Sequence, residues 1–261
     1  MIVFFDVDGT IVDDETQILP ESAVRAVEQL TQNGHLAVVN TGRPLGNVDY
    51  RVRNMAFSGW IAACGMEIML DGKWLCRDVP DTKLCQFVRE CVHRTGMKVM
   101  FEAEDALLRD GEHSSARLAE QDFLHLSARG IPVLEVDQLE RLEFVKFCAY
   151  DAPGCRREEF LRLVAPWFTG TPRAGGMIEF VLNGHSKAQG MEEMLRALGA
   201  DRSQVYAIGD TTNDLPMFRM AAHAACMGNG MAEAKAQAEF VTASVLENGL
   251  EIALRHFGLI D

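Results

Sequence analysis

CxxC pairs, long apolar runs and an excess of positive charge are all missing from this chain. Its cysteines are seven, an odd number: Cys64, Cys76, Cys85, Cys91, Cys148, Cys155 and Cys226. Most sit among apolar neighbours. They read as reduced core thiols of a cytoplasmic protein rather than as a disulfide framework or a thiol catalyst. No apolar run approaches membrane-spanning length. Asp6 and Asp8 cut the N-terminal apolar run short, so no signal peptide is expected. Lys and Arg number 25 against 38 Asp and Glu, a formal net charge of −13. Such a surface repels nucleic-acid phosphates and anionic membranes, and neither is an expected partner. What is abundant is hydrophobic residues, 48% of 261. That suffices for the packed core of one large domain, or of a core carrying an insertion.

The apolar run Ile2-Val3-Phe4-Phe5 closes on Asp6-Val7-Asp8-Gly9-Thr10, which reads as a buried strand ending in a tight loop. Pro20 to Gln32 follows with apolar residues at helical spacing and stops at Asn33-Gly34. His35 to Asn40 is the next strand, then Thr41-Gly42-Arg43-Pro44. Strand, helix, strand implies a parallel pair with a right-handed crossover. Ile61-Ala62-Ala63 and the turn Asp71-Gly72 suggest further short strands.

From about residue 80 the pattern changes. Helices are expected at Thr82 to Thr95, Ser114 to Ala128 and Glu158 to Val164. Strands are expected at Lys98–Phe101, Ile131–Leu134, Phe144–Cys148 and Met177–Val181. Alternation returns with a helix at Lys187 to Leu198, a strand at Val205 to Ile208, a helix at Asp214 to Ala222 and a strand at Ala224 to Met227. The expected fold is a doubly wound α/β, Rossmann-like parallel-sheet core from residues 1–79 and 183–261, with an inserted α+β domain at 80–182. Ligands of such sheets bind outside the carboxyl ends of the strands. The Asp6, Thr41 and Asp210 loops all fall there.

Asp6 and Asp8 in one loop, with Asp210 and Asp214 in Gly209-Asp210-Thr211-Thr212-Asn213-Asp214, gather negative charge that needs a cation. Mg²⁺ prefers such hard oxygen ligands. Asp6 can attack phosphorus and form an aspartyl-phosphate, and Asp8 can protonate the leaving oxygen and later deprotonate water. Mg²⁺ would take Asp6, a backbone carbonyl of the same loop, Asp210 and a phosphate oxygen, screening the nucleophile from an anionic substrate. Thr41, Gly42 and Lys187 can hold phosphoryl oxygens. With Mg²⁺ and one lysine, the acidic surface is no bar to a small phosphorylated metabolite.

These segments, in this order, resemble the four motifs of the haloacid dehalogenase superfamily. The insertion between the second and third motifs resembles that of its Cof-type phosphatases. Met227–Gly230, Ala238–Thr242 and Glu247–Leu250 are similar to the family's closing segments. The resemblance implies Asp6 as nucleophile, Asp8 as general acid/base, and Thr41 and Lys187 as the phosphoryl-binding pair. It implies Asp210 as a metal ligand, Asp214 as a carboxylate orienting metal-bound water, and Asn213 beside the phosphate and Lys187. The metal-site expectation thus spans Asp6, Asp8, Asp210 and Asp214, with Gly42 and Asn213 added on the substrate side. Asp8 favours a phosphatase over a dehalogenase. The implied activity is Mg²⁺-dependent hydrolysis of a small phosphate monoester, a sugar phosphate or related metabolite. A phosphotransferase or phosphomutase, and a non-catalytic phosphometabolite binder, are the alternatives. Oligomeric state is left open.

One departure stands out: Cys64-Gly65-Met66 occupies the place where the family often carries Asn-Gly-Ala. Arg43 reads equally as an anion contact or a surface ion pair. Glu102–Asp105 and Arg109–His113 read as solvated polar loops, and His185 as a loop histidine. Glu179 and Asn183 are candidates to face the cleft.

Overall fold

The run after Met1 forms strand β1 (Ile2–Phe5), with all four side chains buried. Burial on both faces is what a central parallel strand requires. The computed structural model describes residues 1–115, 117–127, 129–173 and 176–261, and divides the chain into two compact units. The first unit holds residues 1–43, 48–77 and 186–261, and the second residues 44–47 and 78–185.

In the first unit, β1 is followed by β2 (Leu36–Asn40), β3 (Gly59–Ala62), β4 (Glu67–Leu70) and β5 (Lys73–Arg77). The second unit contributes β6 (Lys98–Glu102), β7 (Leu107–Arg109), β8 (Val133–Glu135), β9 (Lys146–Tyr150), β10 (Phe168–Pro172) and β11 (Met177–Leu182). The chain then returns to the first unit for β12 (Val205–Gly209), β13 (His223–Cys226) and β14 (Phe240–Val241).

The first sheet runs β14-β13-β12-β1-β2-β3-β4-β5 and is parallel from β14 to β3. β4 and β5 form an antiparallel extension joined through Asp71-Gly72, both in the left-handed region. Alternation along β1 sends Val3 and Phe5 to one face and Ile2 and Phe4 to the other. Helices α1 (Glu21–Gln32) and, at the C-terminus, Gly249–His256 cover the first face with Val27, Leu30, Leu250 and Leu254. Lys187–Leu198 and Leu215–Met220 cover the second with Met191, Met194, Met217 and Phe218. Each large side chain so buried contributes roughly 1.5–3 kcal/mol. Chain order reverses at β1, which lies between β12 and β2. This is the switch point where a parallel sheet leaves a crevice at its carboxyl ends.

The remaining helices are α2 (Tyr50–Arg53), α3 (Thr82–Thr95), α4 (Arg117–Ser127), α5 (Arg157–Val164) and α8 (Ala232–Lys235), which makes Lys187–Leu198 α6, Leu215–Met220 α7 and Gly249–His256 α9. The second sheet, β10-β11-β9-β6-β7-β8, is antiparallel except for the β7–β8 pair. α3 and α5 pack Val88, Val92 and Phe160 onto Phe101, Phe147 and Phe180. α4 packs Phe123 against Met100 and Tyr150 on the opposite face.

Several expectations shift. Ile131-Pro132 lies outside β8, because Pro132 has no N–H to give a ladder; its carbonyl accepts from Leu107 instead. Phe144 and Val145 precede β9, and Phe144 packs in the second unit's core. The helix expected over Ser114 to Ala128 is α4, preceded by a 3-10 turn at Gly111–Ser114; Ala116 and Ala128 lie outside the described residues. Glu102 and Asp110 are not solvated loop residues but buried ones. Asp110 takes hydrogen bonds from Arg89 and His93, and Glu102 pairs with Lys146. Glu179 lies buried in β11, paired with Lys146 and Arg173. Asn183 bonds Thr169 and the Ala165 carbonyl, and His185 reaches Asp78 at 3.0 Å. None of the seven cysteines is disulfide-bonded. Burial pushes Cys85 and Cys91 up to about 11, which disfavours the thiolate. No helix among the described residues is long and apolar enough to cross a membrane.

Candidate active site

Asp6 is the first residue past β1, and its N–H donates to the carbonyl of Ile208 in β12, so the backbone is still in register with the sheet. The chain then folds back at once: the N–H groups of Thr10, Ile11 and Val12 all donate to the Val7 carbonyl. Gly9 makes this turn with φ +74°, and a Cβ there would lie 2.2 Å from Asp210 Oδ2. Glycine is therefore required twice over, by conformation and by the closeness of Asp210.

Lys187 opens α6, whose N-cap Ser186 accepts from the Gln189 N–H at 3.1 Å. Its ammonium is buried and lies 2.7 Å from Asp6 Oδ1 and 2.7 Å from Asp214 Oδ1. Burial opposes the charge, but Asp214 and Asp6 outweigh it and hold Lys187 protonated. Asp214 is fully buried, and its Oδ2 accepts from the N–H groups of Asp210 and Thr211 at 2.9 and 3.1 Å. Lys187 is thus a strut between the two ends of the chain.

Asp210 follows β12 and is buried, with Oδ1 lacking any hydrogen-bond partner. Oxygens of Asp6, Asp210 and Asp214 lie within 4.8 Å of one another. Two like charges at that range repel by roughly 3 kcal/mol at an effective dielectric near 20. One ammonium against three carboxylates leaves negative charge uncompensated. Burial, opposed by Lys187 and reinforced by Asp214 and Asp8, pushes Asp6 up to about 7. Burial with the Asp6 and Asp214 charges pushes Asp210 up to about 9. An all-oxygen donor set with an orphaned carboxylate oxygen fits a hard divalent cation. Among the described residues this is the group able to hold a metal ion, and the Asp8 carboxylate is not in it. The Asp8 side chain is turned to Arg43, whose Nε donates to Asp8 Oδ2 at 2.5 Å.

Thr41 is buried just past β2, and its Oγ1 accepts from the Arg43 N–H at 3.2 Å. Gly42 lies half-buried between them. Asn213 is half-buried, and its Oδ1 accepts from the Thr211 hydroxyl rather than meeting Lys187. The structure therefore gathers Asp6, Lys187, Asp210 and Asp214 into one cluster, sets Asp8 with Arg43, and leaves Asn213 on its own loop. It adds residues that motif reading passed over. Asn40, fully buried at the last position of β2, donates from Nδ2 to the Lys187 carbonyl at 3.2 Å. Asn229 donates from Nδ2 to the Gly9 carbonyl at 2.8 Å and accepts from the Val245 N–H. A polar residue ending an apolar strand is a readable signal for Asn40. Asn229, between two glycines, carries a weaker one.

Residues 3–254 match the model of the haloacid dehalogenase-like hydrolases, and the chain belongs to that family. It is 27% identical over 270 residues to the "Putative phosphatase YkrA" of Bacillus subtilis, covering 99% of this chain and 98% of that one. It is 25% identical over 262 residues to the 5-amino-6-(5-phospho-D-ribitylamino)uracil phosphatase YcsE of the same organism, covering 99% and 96%. Among solved structures, a hypothetical protein from Geobacillus kaustophilus HTA426 superposes with a TM-score of 0.82 at 27% identity, covering 99% of each chain. The chain is a phosphatase-class enzyme of this family.

Proposed function

We propose that this enzyme hydrolyses a small phosphate monoester with Mg²⁺ bound, through a phosphoryl group carried on Asp6. The observation that carries the reading is the orphaned, buried Asp210 Oδ1 beside an Asp6 already held by Lys187. Asp6, Asp210 and a backbone carbonyl of the Asp6–Gly9 loop would hold the cation. When bound it supplies positive charge between the carboxylates and the phosphoryl oxygens.

The residues do the rest. Lys187 favours the ionised form of Asp6 and aims it, so that its oxygen can bond to phosphorus as the ester P–O bond breaks. Asp8 gives its proton to the departing ester oxygen. Water then attacks the phosphorus of the aspartyl-phosphate and loses a proton to Asp8. The Asp6–phosphorus bond breaks, and inorganic phosphate leaves with Asp6 and Asp8 restored. Thr41, Gly42 and Asn213 are assigned to the phosphoryl oxygens. Asp214 acts by holding Lys187 and the Asp210 backbone. The substrate class is a sugar or polyol phosphate, in keeping with the phosphoribityl chain named for YcsE.

Phosphate release from a panel of sugar and polyol phosphates, with Mg²⁺ or EDTA, tests this for wild type and Asp6→Asn. Turnover is expected only with Mg²⁺ and Asp6. Release by Asp6→Asn at wild-type rate would end the covalent mechanism, and phosphate passing to an added sugar instead of water would make the enzyme a transferase.

A further inference from the structure

The Arg43–Asp8 pair is not accounted for by binding a phosphoryl group. Arg43 Nε lies 2.5 Å from Asp8 Oδ2, and its side chain is only 15% exposed. This is a short, charge-assisted and partly desolvated contact, the kind that fixes geometry. The backbone beneath Arg43 is clamped from three directions. Its N–H donates to Thr41 Oγ1 at 3.2 Å, its carbonyl accepts from the Ala63 N–H at 2.7 Å, and the Thr41 carbonyl accepts from the Cys64 N–H at 3.1 Å. The two donors come from a turn in which Ala63, Cys64 and Gly65 all have positive φ, 47°, 55° and 94°. Two consecutive non-glycine residues in that region carry roughly 1–2 kcal/mol of strain each. Such strain persists where surrounding structure over-determines it, and here it aims two N–H groups at the Thr41–Arg43 segment.

We propose that Arg43 is a positioning residue for Asp8, and that the strained Ala63–Gly65 turn braces Arg43 for that task. The inference rests on the phosphatase reading above. Arg43 holds the Asp8 carboxyl in the loop where the ester oxygen departs. Arg43 holds Oδ2 while Oδ1 of the same carboxyl carries the proton, so Arg43 contributes to the proton transfers and not to the attack by Asp6.

Leaving-group chemistry separates these roles. p-Nitrophenolate departs without needing a proton, whereas an alkoxide from a polyol phosphate needs one. Arg43→Ala, Asp8→Ala and the double variant are compared on p-nitrophenyl phosphate and on ribitol 5-phosphate, or the alkyl ester the panel ranks first. General acid catalysis is worth about 10²–10⁴-fold. The expected result for Arg43→Ala, read in the first, alcohol- or p-nitrophenolate-releasing step under single-turnover conditions, is a rate loss of roughly 10²-fold on the alkyl ester and under about threefold on p-nitrophenyl phosphate; the later water step, which uses Asp8 for both esters, slows equally for the two. In the Asp8→Ala background, removing Arg43 should cost under about twofold. Arg43→Lys, which keeps the charge, should fall between wild type and Arg43→Ala, and serves if the alanine variant does not fold. Equal losses on both esters in that first step, a raised KM at constant kcat, or full additivity with Asp8→Ala would each overturn the proposal. A wild type inactive on both esters would instead overturn the phosphatase reading, and this inference with it.

Discussion

Replacing Asp210 by asparagine should stabilise the cation-free enzyme, although most changes at buried polar sites destabilise. Asp210 is buried beside Asp6 and Asp214, with Oδ1 unpartnered, and its carboxyl is pushed up to about 9. In the unfolded chain it titrates near 3.9. Between those values the folded state binds one proton more than the unfolded state, so stability falls as pH rises. The slope is about 1.4 kcal/mol per pH unit while the difference is complete. Asp6, pushed up to about 7, adds to the slope up to that pH. Asp210→Asn keeps the shape and removes the titrating group. In EDTA at pH 7.5 it should be more stable than wild type by on the order of 2–5 kcal/mol, and its stability should depend less on pH. Mg²⁺ narrows the gap: at a hundredfold excess over Kd it adds about 2.7 kcal/mol to a protein that binds it. The asparagine variant should gain far less. Urea unfolding at pH 6 and 8, in EDTA and in Mg²⁺, reads all of this. A variant less stable than wild type in EDTA at pH 8, with an undiminished response to Mg²⁺, would refute both the uncompensated charge and the cation assignment.

Three further outcomes are expected. Gly9→Ala places a methyl 2.2 Å from Asp210 Oδ2 at φ +74°; it should weaken Mg²⁺ binding measured by calorimetry and reduce turnover at least tenfold, an order-of-magnitude figure for a displaced ligand. Cys64→Asn should raise stability by about 0.5–1 kcal/mol, since asparagine tolerates the φ of 55° that Cys64 adopts; a fall in thermal midpoint would show that Cys64 packing outweighs the backbone strain. Lys146→Met leaves the buried carboxylates of Glu102 and Glu179 with less compensation and should cost about 3–5 kcal/mol of second-unit stability by denaturant unfolding, whereas an unchanged midpoint would mean Arg173 suffices for Glu179.

Legibility in the sequence varied with the distance over which each feature is specified. α3 and α6 were readable to the residue because their caps are local: Asp81 with Gly96, and Ser186 with Gly199. β1, β2 and β12 were readable because both faces are buried, so their apolar runs are unbroken. The polar stretches of the second unit misled. Glu102 and Asp110 look like solvated residues, but Lys146 lies 44 positions from one, and Arg89 and His93 lie 21 and 17 from the other. Nothing local announces a partner so far away.

The same physics divides what the chain alone determined from what folding decided. Asp6 and Asp210 could be named as candidates from sequence, because each sits just past an apolar run that must be a strand, and strand ends of a doubly wound sheet meet at one edge. Tertiary structure decided which carboxylates share Lys187, which oxygen is left without a partner, and that Asp8 turns to Arg43. Those choices depend on turn dihedrals and on approaches of a few ångströms between β1, β12 and the start of α6. A hydrophobic pattern specifies which strands are buried, but it carries no information at the scale of a hydrogen bond.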